Sequence, residues 1–69
     1  MSYYFNIRIT GQVHPSISSR TTEFYRIEAN NPHDATDEAK IRFKRIYQNA
    51  ARLYANIEAI EENKISVTH

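Results

Sequence analysis

From Tyr3 to Thr10 apolar and polar side chains alternate, with Tyr3, Phe5, Ile7 and Ile9 on one side and Tyr4, Asn6, Arg8 and Thr10 on the other. A period of two is that of a strand with one buried face. The pattern lapses from Gly11 to Arg20, a stretch with the only glycine, one of two prolines and three serines. These residues break regular structure without the two-residue signature of a tight hairpin, so a loop is expected. Alternation resumes from about Thr21 to Ala29, placing Tyr25, Ile27 and Ala29 on one face and Thr22, Phe24, Arg26 and Glu28 on the other. The two strands most simply pair as an antiparallel hairpin.

Beyond Ala29 the apolar period changes from two to about 3.6, the period of a helix. Asn31 followed by Pro32 marks its start. Asparagine accepts a hydrogen bond from a free amide of the first turn, and proline at the first helical position lacks only an amide that has no partner there. Asp34 occupies a capping-box position, and Asp37 and Glu38 extend an acidic start that suits the helix dipole. The expected inner face is Ala35, Ala39, Phe43, Ile46, Tyr47 and Ala50, set against Tyr3, Phe5, Ile7, Ile9, Tyr25 and Ile27.

No glycine or proline follows Pro32, so two readings of the C-terminal third compete. In the first the helix frays near Arg52, and Ile57 to Val67 returns as a third strand, folding on itself at the polar stretch from Glu61 to Lys64. In the second, Ala39, Phe43, Ile46, Ala50, Leu53, Ile57 and Ile60 continue a heptad stripe on one long helix that dimerises. The first is favoured because a two-stranded sheet alone is marginal. The fold expected is therefore α+β, an antiparallel sheet with one helix packed on one face in ββαβ order. The alternative is a hairpin plus a long dimerising helix, which leaves monomer and homodimer both open.

With 69 residues the chain is read as a single domain, and one this small hides only about 60% of the surface its unfolded chain exposes. It has no cysteine, and His14, His33 and His69 are scattered, so neither a disulfide nor a zinc set is expected. No apolar run approaches a membrane span and the start lacks signal-peptide character, which leads to the expectation of a soluble cytoplasmic protein without a membrane partner. No nucleophile, metal-ligand or phosphate-binding spacing is present. Glu58, Glu61 and Glu62 offer paired carboxylates without a nucleophile, a cleft or a metal partner. The chain is read as a non-enzyme with no cofactor; these acids are read as blunting a strand edge or meeting a basic surface.

Two surfaces stand out as candidates for partner binding. The outward face of the hairpin carries Tyr4, Arg8, Phe24 and Arg26, aromatic and guanidinium groups able to stack on bases or grip phosphates. The helix is locally basic, with Lys40, Arg42, Lys44, Arg45 and then Arg52 but no acid between Ala39 and Ile57. Lys40, Ile41, Lys44 and Arg45 form its candidate contact set. Each surface also has an ordinary reading, as a sheet face partly covered by the loop or the C-terminal segment and as a solvated helix face.

The run from Tyr25 to Ala29, then Asn31 and Pro32, then Ala35, Ala39 and Phe43, and finally Asn56 to Ile60, resembles small phage-encoded ββαβ inhibitor proteins of the host RNA polymerase inhibitor or anti-CRISPR type. The resemblance is one of layout and spans residues 22 to 67. It implies a stoichiometric inhibitor in the host cell cytoplasm that occupies a site on a larger complex. The first function expected is thus a non-enzymatic inhibitor or adaptor docking on a protein or ribonucleoprotein complex through the helix face and a sheet edge. The second is a nucleic-acid-binding domain using the sheet face. The 9 basic and 8 acidic residues nearly cancel, which weighs toward the first.

Overall fold

The computed structural model describes residues 2–62. Its elements are β1 (Tyr3–Gln12), β2 (Arg20–Ala29), α1 (Pro32–Ile46) and β3 (Ala51–Glu62), in ββαβ order. The three strands form one antiparallel sheet of order β2-β1-β3, with the helix packed on one face. The fold is α+β, as the alternation and the single capped helix indicate.

The first strand runs two residues further than expected, because Gly11 belongs to it rather than to the loop. A Cβ at Gly11 would lie 2.4 Å from Leu53 Cδ2 and 3.3 Å from Phe43 Cε1, so the missing side chain lets β3 and the helix close over the sheet. The loop proper spans residues 13–19, turned at its tip by a hydrogen bond from the Ile17 amide to the His14 carbonyl.

Asn31 caps the helix as the sequence indicates. Its backbone is extended, and its Oδ1 accepts from the Asp34 amide at 2.8 Å. Asp34 answers the Asn31 side-chain amide at 3.1 Å, which locks the cap. The helix ends at Ile46, well before Arg52. There the Tyr47 amide reaches the Phe43 carbonyl, the Tyr47 ring lies 4.8 Å from that of Phe43, and its hydroxyl donates to Glu23 Oε2 at 2.6 Å. A tertiary contact stops the helix where no local breaker does. Ile46, expected inside, is 59% exposed, while Ala35, Ala39 and Phe43 are buried, Tyr47 is half-buried, and Ala50 packs on the core from beyond the helix.

The heptad stripe is instead a strand. Leu53, Ala55 and Ile57 face the core at a spacing of two, and a β-bulge between Asn6/Ile7 and Ala59/Ile57 inserts Glu58, so that Ile60 returns to the covered face opposite Phe5. Four residues from Leu53 to Ile57 and three from Ile57 to Ile60 imitate a helical period. The strand begins at Ala51 rather than Ile57 and runs on through Glu61 and Glu62, paired with Tyr4 and Tyr3, where a fold-back was expected; the remainder of that stretch, Asn63 to Val67, lies outside the described residues, as does His69. The core is Phe5, Ile7, Ile9, Ile27, Ala35, Ala39 and Phe43, each at most 1% exposed. Small alanines bring the helix axis close to the sheet, and Phe43 fills the centre; burying such a ring stabilises by about 1.5–3 kcal/mol.

Candidate functional site

With one helix on one side, the other face of the sheet is uncovered among the described residues. Register sets its side chains in rows across β2, β1 and β3. Thr22, Thr10 and Tyr54 make one row, Phe24, Arg8 and Asn56 the next, then Arg26, Asn6 and Ala59, and last Glu28, Tyr4 and Glu61. The sequence-predicted residues Tyr4, Arg8, Phe24 and Arg26 therefore share this face. Phe24 is 70% exposed and Tyr54 is 73% exposed.

The third strand adds residues that the sequence alone did not bring here. Glu58, carried outward by the bulge, pairs with Arg8 at 3.8 Å and accepts from Asn56 Nδ2 at 2.8 Å. Glu61 accepts from Asn6 Nδ2 at 2.8 Å and pairs with Arg26 at 3.3 Å. The Asn6 hydrogen bond first, and the Arg26 charge second, hold the Glu61 carboxyl below its usual range. The Arg26 guanidinium lies over the Tyr4 ring, 4.1 Å from its centroid. Between these groups is an open groove of about 410 Å³ lined by Asn6, Ile7, Phe24, Tyr25, Arg26 and Glu58. Its charges are matched on the face itself. Exposed pairs of this kind add little stability, but they leave no net positive charge around Tyr4 and Phe24.

The far end of the face is built differently. Arg52, in the left-handed region at φ 54°, donates to Oε1 of the buried Gln12 at 2.6 Å. Arg20 donates to the Arg52 carbonyl at 2.7 Å and lies 5.8 Å from the centroid of the Tyr54 ring. Neither arginine has a carboxylate in ion-pair reach among the described residues.

The second sequence-predicted set lies on the opposite side of the molecule. Ile41, Lys44 and Arg45 are exposed on the helix and Lys40 is half-buried, while Arg42 is held by Glu38 at 3.0 Å. Acid at the helix start and base at its end complement the helix dipole. The structure thus gathers each candidate set internally but places the two on opposing sides, where one flat partner surface meets only one of them.

Tyr54 and Asn56 escaped the sequence reading, and Glu58 and Glu61 were read as acids at a strand edge or against a basic partner rather than as partners of Arg8 and Arg26, because the C-terminal third was open between strand and helix. The signal that finds them is the alternation of Tyr54, Asn56 and Glu58 with Leu53, Ala55 and Ile57. Among the described residues no three His, Asp or Glu side chains converge as a metal site, and no helix is long and apolar enough to cross a membrane. Comparison with protein-family models, curated proteins and solved structures finds no match to this chain.

Proposed function

We propose that the chain is a small non-enzymatic binding module that docks on a protein partner through the open sheet face. The observation that carries this reading is the pairing of Arg8 and Arg26 with Glu58 and Glu61 beside exposed Phe24 and Tyr54. Aromatic and arginine side chains are the types that anchor protein interfaces, and the paired carboxylates hold the arginines in fixed positions. Nucleic-acid surfaces need cations left unneutralised for phosphate, and here the central arginines are neutralised. An inhibitor or adaptor that occupies a site on a larger complex fits a module of this build, and the resemblance in layout to phage-encoded inhibitors suggests that form of the reading, with a host protein or ribonucleoprotein complex in the cytoplasm as partner.

One observation favours a second reading. Arg20 and Arg52 are unpaired by carboxylates and sit beside the exposed Tyr54 ring, a combination that suits a single nucleic-acid strand at that end of the face. Fluorescence anisotropy of labelled single- and double-stranded oligonucleotides at low and physiological salt separates the two. Weak or absent binding is expected. Tight binding that falls steeply with salt would transfer the face to nucleic acid.

A further inference from the structure

The two edges of the sheet are unlike. β3 is interrupted by two register shifts, carries Arg52 in a left-handed conformation, and bears Glu58, Glu61 and Glu62. Bulges and charges of this kind keep a strand edge from pairing. β2 has no bulge and no left-handed residue, and its charges, Arg20, Glu23, Arg26 and Glu28, are of both signs and balance. It pairs with β1 at ten successive positions without a register shift and contains no lysine, proline or glycine. Its other side meets no strand among the described residues. An edge this long and regular is a template for another strand.

Charge placement selects the strand. The start of β2, the end of α1 and the start of β3 lie at one end of the molecule, which carries Arg20, Lys44, Arg45 and Arg52. The opposite end carries Glu28, Asp34, Asp37, Glu61 and Glu62. An antiparallel partner identical to this chain sets each basic end beside an acidic end. A two-fold symmetric contact of this sort is self-complementary.

We infer that the chain forms a two-fold homodimer by antiparallel pairing of β2 edges, centred on Phe24, which joins the two sheets into one of six strands. Register follows from three constraints. A shift by one residue would put apolar side chains on the wrong face. Centring on Glu23 or on Arg26 sets like charges opposite one another, Glu23 on Glu23 or Arg26 on Arg26. Centring on Tyr25 leaves Arg20 opposite Asn30, whereas centring on Phe24 places Arg20 opposite Glu28 of the second copy, twice over, and Phe24 against its own symmetry mate. It also sets Tyr25 across from Glu23 of the second copy; within one chain the Tyr25 hydroxyl is shut off from solvent with no hydrogen-bond partner among the described residues. The dimer leaves both open faces on the same side of the joined sheet, so it holds whatever those faces bind.

The chain has no cysteine, which makes disulfide trapping clean. Phe24→Cys, mildly oxidised, is expected to give a covalent dimer, because position 24 lies opposite itself. Tyr54→Cys, equally exposed on the other edge strand, is expected to remain uncrosslinked. Should Phe24→Cys unfold by circular dichroism, a mixture of Thr22→Cys and Arg26→Cys replaces it, each staying uncrosslinked alone and forming a disulfide only when mixed. In sedimentation equilibrium of the cysteine-free protein, Arg20→Glu is expected to weaken the dimer several-fold and Arg20→Glu with Glu28→Arg to restore it. A monomer mass at every concentration, or trapping at position 54 in place of position 24, overturns the inference.

Discussion

The two faces of this sheet hold the same kinds of aromatic residue and treat them oppositely. Tyr3, Phe5 and Tyr25 stand on the covered face, and Tyr4, Phe24 and Tyr54 on the open one. On the covered face the neighbours are Ile7, Ile9, Ile27, Ala39 and Phe43, which exclude water and turn aromatic area into stability. On the open face they are Arg8, Arg26, Asn6, Glu58 and Glu61, bonded to one another, so the rings remain in water over a rigid polar ground. Aromatic content therefore does not tell a folding face from a binding face. What surrounds each ring does.

Truncation of one ring on each face should break this symmetry most visibly. Phe43→Ala is expected to cost about 3–5 kcal/mol in denaturant unfolding, a large part of the roughly 5–15 kcal/mol that a domain has in total. Phe24→Ala, compared at concentrations where the chain is monomeric, should stay within about 0.5 kcal/mol of the parent. Comparable losses would mean that the open face is also structural. Next comes Gly11→Ala, which pushes a methyl against Leu53 and Phe43. Leu53 is able to turn aside but Phe43 is packed, so a loss of about 1 kcal/mol or more is expected in the same assay.

A gain is expected at Tyr25. Its hydroxyl is buried with no hydrogen-bond partner among the described residues of one chain, so at concentrations where the chain is monomeric Tyr25→Phe should raise stability by about 1 kcal/mol. Burial, reinforced by the charge of Glu23, also pushes the Tyr25 phenol above its ordinary range. The folded state then holds that proton more tightly than the unfolded state. The resulting stability is complete below the ordinary tyrosine pKa and is lost as pH rises through the raised value. Thermal melts at increasing alkaline pH should show a shallower decline in Tyr25→Phe than in the parent.

The smallest change in stability concerns the open face alone. Glu61 is held below its usual range, so its contribution is present above the ordinary carboxylate pKa and is lost as pH falls through the lowered value. Glu61→Gln should remove that acid-side slope from the melts. Combined with Glu58→Gln it frees Arg8 and Arg26, and the face should then bind oligonucleotides in a salt-sensitive way and more tightly than the parent. A double variant that binds them no more tightly than the parent would show that charge balance is not what governs the face.

Much of the architecture was legible in local patterns. Alternation gave both faces of the first two strands, and Asn31 with Pro32 gave the helix start, because each signal is written in adjacent residues. The helix end was not legible, since it depends on Tyr47 meeting Glu23 and Phe43, a contact that exists only once the sheet has formed. The third strand was obscured by the bulge at Glu58, which changes the spacing of Ile57 and Ile60 from two to three and so counterfeits a heptad. Half of the candidate site was lost with it. Arg8 and Arg26 looked like free cations because Glu58 and Glu61, distant in sequence, reach them only through the pairing of β3 with β1.

The most direct test of a docking role for the open face is a photo-crosslinking residue placed in turn at position 24 and at position 41, each introduced into the protein in the cells that naturally produce it. A discrete adduct from position 24 to a protein other than this chain, beyond the self-adduct that the dimer gives, with none from position 41, is the result expected. An adduct from position 41 alone, or a nucleic-acid adduct from position 24, would contradict it.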